Sequence, residues 1–174
     1  MKYSNFSRAL AFVLVLVMVL SMAPATVFAS DSAVYSQITA ADELTTGKYV
    51  MVVSSGYAPT VFDNGWVLTE AVSPVDGAIT APAANLVWDI TVSGDTVTLT
   101  DSNGVTIAPK GGNNNGIKSA AYDWKVEFVD GTFRFLGQGE DTVYLASNTS
   151  SQYENKFRGY KTATVDKYPD GYLS

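Results

Sequence analysis

The chain has 174 residues, with 11 basic and 17 acidic side chains and neither histidine nor cysteine. Without Cys there is no disulfide framework, thiolate nucleophile, zinc ribbon or iron–sulfur cluster. Without His there is no Ser-His-Asp triad, His-ligated metal or imidazole base, so any catalysis falls to Asp, Glu, Lys, Tyr or Ser.

The first 29 residues read as an address rather than as structure. Lys2 and Arg8 supply a positive start, residues 9–20 are an unbroken apolar run, and Ser21 and Pro24 break it. Val27-Phe28-Ala29 places small residues at the −3 and −1 positions. This is the pattern of a secretory signal peptide, 1–29, cleaved after Ala29. The alternative is an uncleaved anchor, but a membrane span takes about 20 apolar residues. Cleavage removes Lys2 and Arg8 and no acid, which moves the net charge from −6 to −8. So acidic a surface argues against nucleic acid, because phosphate contacts need clustered Lys and Arg. After cleavage no membrane contact is expected. A secreted chain without Cys fits a Gram-positive exterior, free or at the cell surface. Residues 30–174 are long enough to bury one core without covalent staples.

Residues 30–36 are small and polar and read as a short lead-in to a module spanning 37–174. Residues 40–44 suit one helical turn capped by Thr39, and no other helix is predicted. Period-two alternation then takes over, rich in Val, Ile, Thr, Tyr and Phe. It predicts strands over 49–53, 88–92, 96–100, 105–107, 124–128, 132–136, 142–145 and 157–161. Gly-containing turns separate them at 54–56, 93–95, 101–104 and 129–131. Many short strands at this spacing predict an all-β barrel or sandwich.

An internal repeat narrows the choice. Trp88-x-Ile90-x-Val92, a Gly turn, Val97-x-Leu99, a Gly turn and Val105-x-Ile107-Ala108 form one unit. Trp124-x-Val126-x-Phe128, a Gly turn, Phe133-x-Phe135, a loop and Val143-x-Leu145-Ala146 repeat it 36 residues later. A weaker copy begins at Gly47, with Tyr49-x-Met51-x-Val53 leading to Ala58-Pro59. Three units of about four strands, starting near Gly47, Gly94 and Gly131, predict a β-trefoil-like barrel of three pseudo-repeats. No unit covers its own apolar face, so three must close around one core. Val50 or Met51, Ile90, Val97, Leu99, Val126, Phe133 and Leu145 are the expected fillers. Trp88 and Trp124 are expected to pack in the core or its cap, as large aromatics mostly act through burial. No strand matching 88–92 or 124–128 follows Tyr168-Pro169-Asp170-Gly171. The barrel is therefore expected to lack its last strand within this sequence. The natural chain is expected to continue, with further domains beyond Ser174.

Four segments resemble a known module: Thr45-Thr46-Gly47-Lys48-Tyr49-Val50, Ala83-Ala84-Asn85-Leu86-Val87-Trp88-Asp89-Ile90, Tyr122-Asp123-Trp124 and Phe157-Arg158-Gly159-Tyr160-Lys161. They are similar to a β-trefoil-like accessory module of large secreted or surface proteins of gut Firmicutes and Bacteroidetes. That module often accompanies nuclease, nucleotidase or other hydrolase domains. The resemblance covers residues 35–174. It implies an accessory or surface role and transfers no catalytic residue. The module usually closes with a Phe-x-Leu-Tyr-Lys strand, which is absent from this sequence.

Three loops at matching places in the units are the candidate binding surface. The first holds Asp63, Asn64 and Trp66, the second Asn113 and Asn114 within 110–116, and the third Asn148, Gln152 and Tyr153. Sugar recognition takes a flat ring face for pyranose C–H groups and nearby amides or carboxylates for hydroxyls. These loops have that composition, although Asn, Asp and Gly are also what tight turns require. The Asn run at 113–115 has no following helix and no P-loop spacing, so it is not read as a phosphate cradle. Arg158 and Lys161 point to opposite faces of one strand and make no joint basic patch; Arg158 could pair with a carboxylate, but such a residue is more often on a solvated strand face. Asn148-Thr149-Ser150 fits a glycosylation acceptor, a pattern of little weight in a bacterial chain. The acids fall mostly in turns, where they serve backbone N–H groups, so no paired catalytic carboxylates are expected. No metal or cofactor is expected either. The leading expectation is a secreted, non-catalytic module that binds carbohydrate. The alternative is a structural spacer or interaction domain of a larger extracellular hydrolase, with no ligand of its own.

Overall fold

A computed structural model describes residues 33–111, 115–138, 143–148, 153 and 155–161. The chain divides into two compact units, Met1–Asp31 and Ser32–Ser174, and every described residue belongs to the second. The expected signal peptide, Asn113, Asn114, Gln152 and the stretch 168–174 lie outside the described residues.

The fold is all-β. Strands β1 (Val34–Ser36) and β5 (Ala78–Thr80) pair antiparallel as one small sheet, and β8 (Ile107–Pro109) and β9 (Ile117–Ser119) as another. The main sheet holds β2 (Gly47–Val50), β3 (Tyr57–Asp63), β4 (Trp66–Ala71), β6 (Val87–Ser93) and β7 (Thr96–Thr100). It continues with β10 (Trp124–Val129), β11 (Thr132–Gly137), β12 (Val143–Ser147) and β13 (Phe157–Lys161). Its order is β2-β6-β7-β10-β11-β12-β13-β4-β3, so among the described residues it ends at β2 and β3 and does not close into a barrel. Hairpin neighbours account for many of its pairings, while β2–β6, β7–β10 and β13–β4 join strands remote in sequence.

Alternation drives the burial. In β6, Trp88 and Ile90 are buried while Asp89 and Thr91 face water, and in β7 Val97 and Leu99 are buried. The register sets Ile90 opposite Leu99 and Val92 opposite Val97, which stacks one apolar face across the pair. Met51, Ile90, Val97, Leu99, Phe133 and Leu145 lie in the core as expected. Val126 is only half-buried and packs against that core, as does Phe128 two residues on. Trp88 and Trp124 are 0 % exposed. Each indole also finds an acceptor on a hairpin that precedes it in sequence. Trp88 Nε1–H donates to the Pro59 carbonyl at 3.0 Å, and Trp124 Nε1–H to the Ile107 carbonyl at 2.9 Å.

The sequence reading needs several corrections. A short 3-10 turn forms at Ala41–Glu43, but Thr39 does not cap it. Glu43 reaches back instead, its Oε2 accepting from the backbone N–H groups of Thr39 and Ala40 at 2.5 and 3.1 Å. A second 3-10 turn, Ala84–Leu86, was not expected, and residues 34–36 of the lead-in form a strand. The β3–β4 hairpin also escaped prediction, because Pro59 and a register shift between Pro59 and Phe62 interrupt its alternation. One turn acid is structural. Asp101 is 1 % exposed, and its carboxylate accepts from the N–H groups of Phe62, Asn103 and Val105, each at 2.9 Å. These bonds satisfy a buried charge and tie β3 to the turn after β7.

Candidate functional site

Described residues of the three candidate loops come together in the fold. The β3–β4 hairpin turns on Asn64 and Gly65, with φ of 44° and 92°, between the directly paired Asp63 and Trp66. Positive φ at both central residues makes a type I′ turn, whose twist suits a two-residue hairpin loop. Gly65 C=O accepts from the Ile117 N–H at 3.4 Å, which brings the hairpin tip against β9. The Gly116 N–H donates to the Gly159 carbonyl at 3.0 Å, which brings the loop before β9 against β13. Phe157 in β13 pairs with Val67 in β4, closing the circuit.

Gly159 makes this convergence sterically possible. A Cβ there would stand 2.8 Å from the Gly116 carbonyl oxygen and 2.7 Å from Val143 Cγ1. Backbone thus approaches backbone where any side chain would intrude.

A ring cluster forms where the loops meet. Trp66 and Tyr153 stack with centroids 5.3 Å apart and planes at 27°. The Arg158 guanidinium carbon lies 4.1 Å from the Trp66 centroid and 5.9 Å from that of Tyr160. Arg158 Nη2 donates to the Asn115 carbonyl, which fixes the guanidinium against the loop. Arg158 Nε is buried without a hydrogen-bond partner. Neither Arg158 nor Lys110 has an ion pair among the described residues. A guanidinium over an indole face is attracted by the ring quadrupole, and more strongly where water is excluded.

The predicted binding residues separate accordingly. Trp66 and Tyr153 come from different loops and are brought together, and both are half-buried. Asp63 and Asn64 are exposed at the hairpin tip beside them. Asn148 is 3 % exposed, with its N–H donating to the Lys156 carbonyl at 3.1 Å. A side chain closed off in this way meets no solute, so Asn148 leaves the set. Arg158 was read as a solvated strand residue, whereas its cation lies on Trp66. What the strand pattern lacked was the β13–β4 pairing, a contact between segments some ninety residues apart that brings the two side chains together.

A cavity of about 290 Å³ lies elsewhere and shares none of these residues. Tyr35, Ile38, Tyr49, Val52 and Ile79 are among those lining it. Its Tyr49 hydroxyl is already engaged, accepting from the Thr45 N–H at 3.0 Å and donating to the Thr45 carbonyl at 2.6 Å. Among the described residues, no group of three or more Asp or Glu could hold a metal ion, and no helix is long and apolar enough to cross a membrane. No family model, curated protein or solved structure matches the chain.

Proposed function

We propose that the chain is a secreted, non-catalytic module that binds carbohydrate through the Trp66–Tyr153 cluster, on a β-trefoil-like plan. The carrying observation is the stacking of Trp66 with Tyr153 across two loops, at 5.3 Å, beside the exposed polar groups of Asp63 and Asn64. An aromatic wall with hydrogen-bonding groups at its edge is the chemistry a pyranose requires. The trefoil reading draws support from strand order. β2, β6, β7, β10 and β11 are consecutive neighbours; the hairpins β3–β4 and β8–β9 interrupt them in sequence, and β12–β13 follows the last of them. Equivalent Trp anchors on β6 and β10 support the same reading. The accessory role in a larger surface protein rests on the resemblance of the four sequence segments.

A spacer or interaction domain without a ligand is the second reading. One observation favours it: the Trp66 ring already has Tyr153 and Arg158 packed on it. Affinity electrophoresis of residues 30–174 in gels cast with pectin, mucin or starch separates the two. Binding predicts retardation in at least one gel, relieved by Trp66→Ala or Tyr153→Ala in variants with unchanged circular dichroism. Unretarded migration in all three gels leaves the spacer reading standing.

A further inference from the structure

Charge is unevenly spread over this acidic chain. Segments 107–119 and 143–161, which carry the β8–β9 and β12–β13 hairpins, hold Lys110, Lys118, Lys156, Arg158 and Lys161. Their only acid is Glu154, which lies outside the described residues. The other 16 acids of the chain fall elsewhere in its sequence. Two of these cations converge on the loop that abuts β13. A Cβ built on Gly116 would lie 3.3 Å from Arg158 Nη2 and 3.5 Å from Lys110 Cδ, so both side chains flank the same backbone. Asp63 faces Trp66 across the hairpin turn and ion-pairs with neither cation among the described residues.

We infer that the Trp66–Tyr153 site takes an acidic saccharide, a pyranose bearing a carboxylate, with Arg158 and Lys110 as its anion-binding groups. The inference rests on the carbohydrate reading above and adds the charge of the ligand. Arg158 is held in place before any ligand arrives, by the indole face at 4.1 Å and by the Asn115 carbonyl. A guanidinium so fixed loses little freedom on binding, and its planar fork matches a carboxylate. Among the described residues, Nη2 alone of its three nitrogens has a hydrogen-bond acceptor, which leaves the Nη1 donors for a ligand. Lys110 is exposed and adds a mobile second charge. The adjacent rings offer C–H contact to the sugar body. A neutral sugar would gain the rings but forgo the charge-assisted bonds, which are about twice as strong as neutral ones.

The test is titration of residues 30–174, followed by indole fluorescence, with trigalacturonate and sialyllactose as uronic and sialic probes. Galactotriose and lactose are their neutral partners. At least one acidic probe should bind about tenfold more tightly than its neutral partner, and this ratio should shrink severalfold between about 20 and about 300 mM salt. Which acidic probe binds identifies a plant-type or a host-type source. Arg158→Gln should abolish the acid preference. Lys110→Gln, at an exposed position that does not bear on folding, should reduce it a few fold. Asp63→Asn should strengthen binding of the acidic probe alone, a gain that misfolding cannot mimic. Equal binding of acidic and neutral probes overturns the charge inference and leaves the carbohydrate reading intact. No binding of any probe, with no retardation in the three gels, overturns both.

Discussion

The three tryptophans of the chain divide into two kinds. Trp88 in β6 and Trp124 at the start of β10 are fully buried and donate their indole N–H groups to carbonyls of the preceding hairpins. Trp66 follows a tight turn at a hairpin tip, is half-buried, and meets another ring and a cation. The first kind closes a core in which every polar atom of the side chain is spent. The second sits where the β3–β4 hairpin tip meets the segments before β9 and β13, beside a guanidinium with no ion pair among the described residues. Position in the sheet therefore separates scaffold from surface chemistry better than residue type does.

The largest expected difference comes from truncating one ring of each kind. Trp124→Ala should cost about 3–5 kcal/mol, because it empties a close-packed site and leaves the Ile107 carbonyl without its donor. Trp66→Ala should cost about 1 kcal/mol, in the range of ordinary partly exposed substitutions. Urea unfolding followed by far-ultraviolet circular dichroism reads both. Equal losses would mean that Trp66 is a structural anchor too, and would weigh against its use as a ligand platform.

A middle-sized effect should come from the contact that assembles the surface site. Gly159→Ala drives a methyl group against the Gly116 carbonyl and Val143. Overpacking of this kind costs about 1–3 kcal/mol. The strain should appear locally, so the indole N–H resonance of Trp66 should shift while those of Trp88 and Trp124 stay. Movement of all three resonances would show that the two regions are not separable.

Much of the core was legible because its signal is local. The alternation in 88–92, 96–100 and 132–136 needs only neighbouring residues, and the strands came out within a residue or two of those expected. The 157–161 strand coincided with its prediction. The β3–β4 hairpin was illegible because a proline and a register shift break its period, although its Asn64-Gly65 turn was visible as a loop. The same limit applied to the site. Trp66 and Tyr153 could be selected as surface aromatics in separate loops, but their stacking depends on β13 pairing with β4, a contact between remote segments. Arg158 was misread for the same reason, since nothing within its own strand marks an indole nearby. Asn148 shows the converse failure, where a residue of suitable chemistry is buried and its backbone N–H is taken up by the Lys156 carbonyl.

The smallest expected effect lies at an exposed pair on the scaffold, far simpler than the cluster on Trp66. Lys48 and Asp89 are directly opposed on β2 and β6, with Nζ at 2.8 and 3.1 Å from the two carboxylate oxygens. The hydrogen bond and the charge of Asp89 raise the Lys48 pKa above its ordinary 10.5, against a small opposing effect of desolvation. The folded state thus favours the protonated amine. Its stabilisation is full below the ordinary lysine pKa and disappears as pH climbs through the raised one. Both side chains are more than half exposed, so solvent and salt screen the pair and its worth is modest. Lys48→Met should therefore lower the melting temperature only slightly at pH 7, and the gap to the parent protein should close as pH climbs through the raised lysine pKa or in about 1 M salt. A gap that persists under both conditions would assign the loss to the packing of the lysine stem against β6, and the pair would then belong with the buried tryptophans as a packing contact.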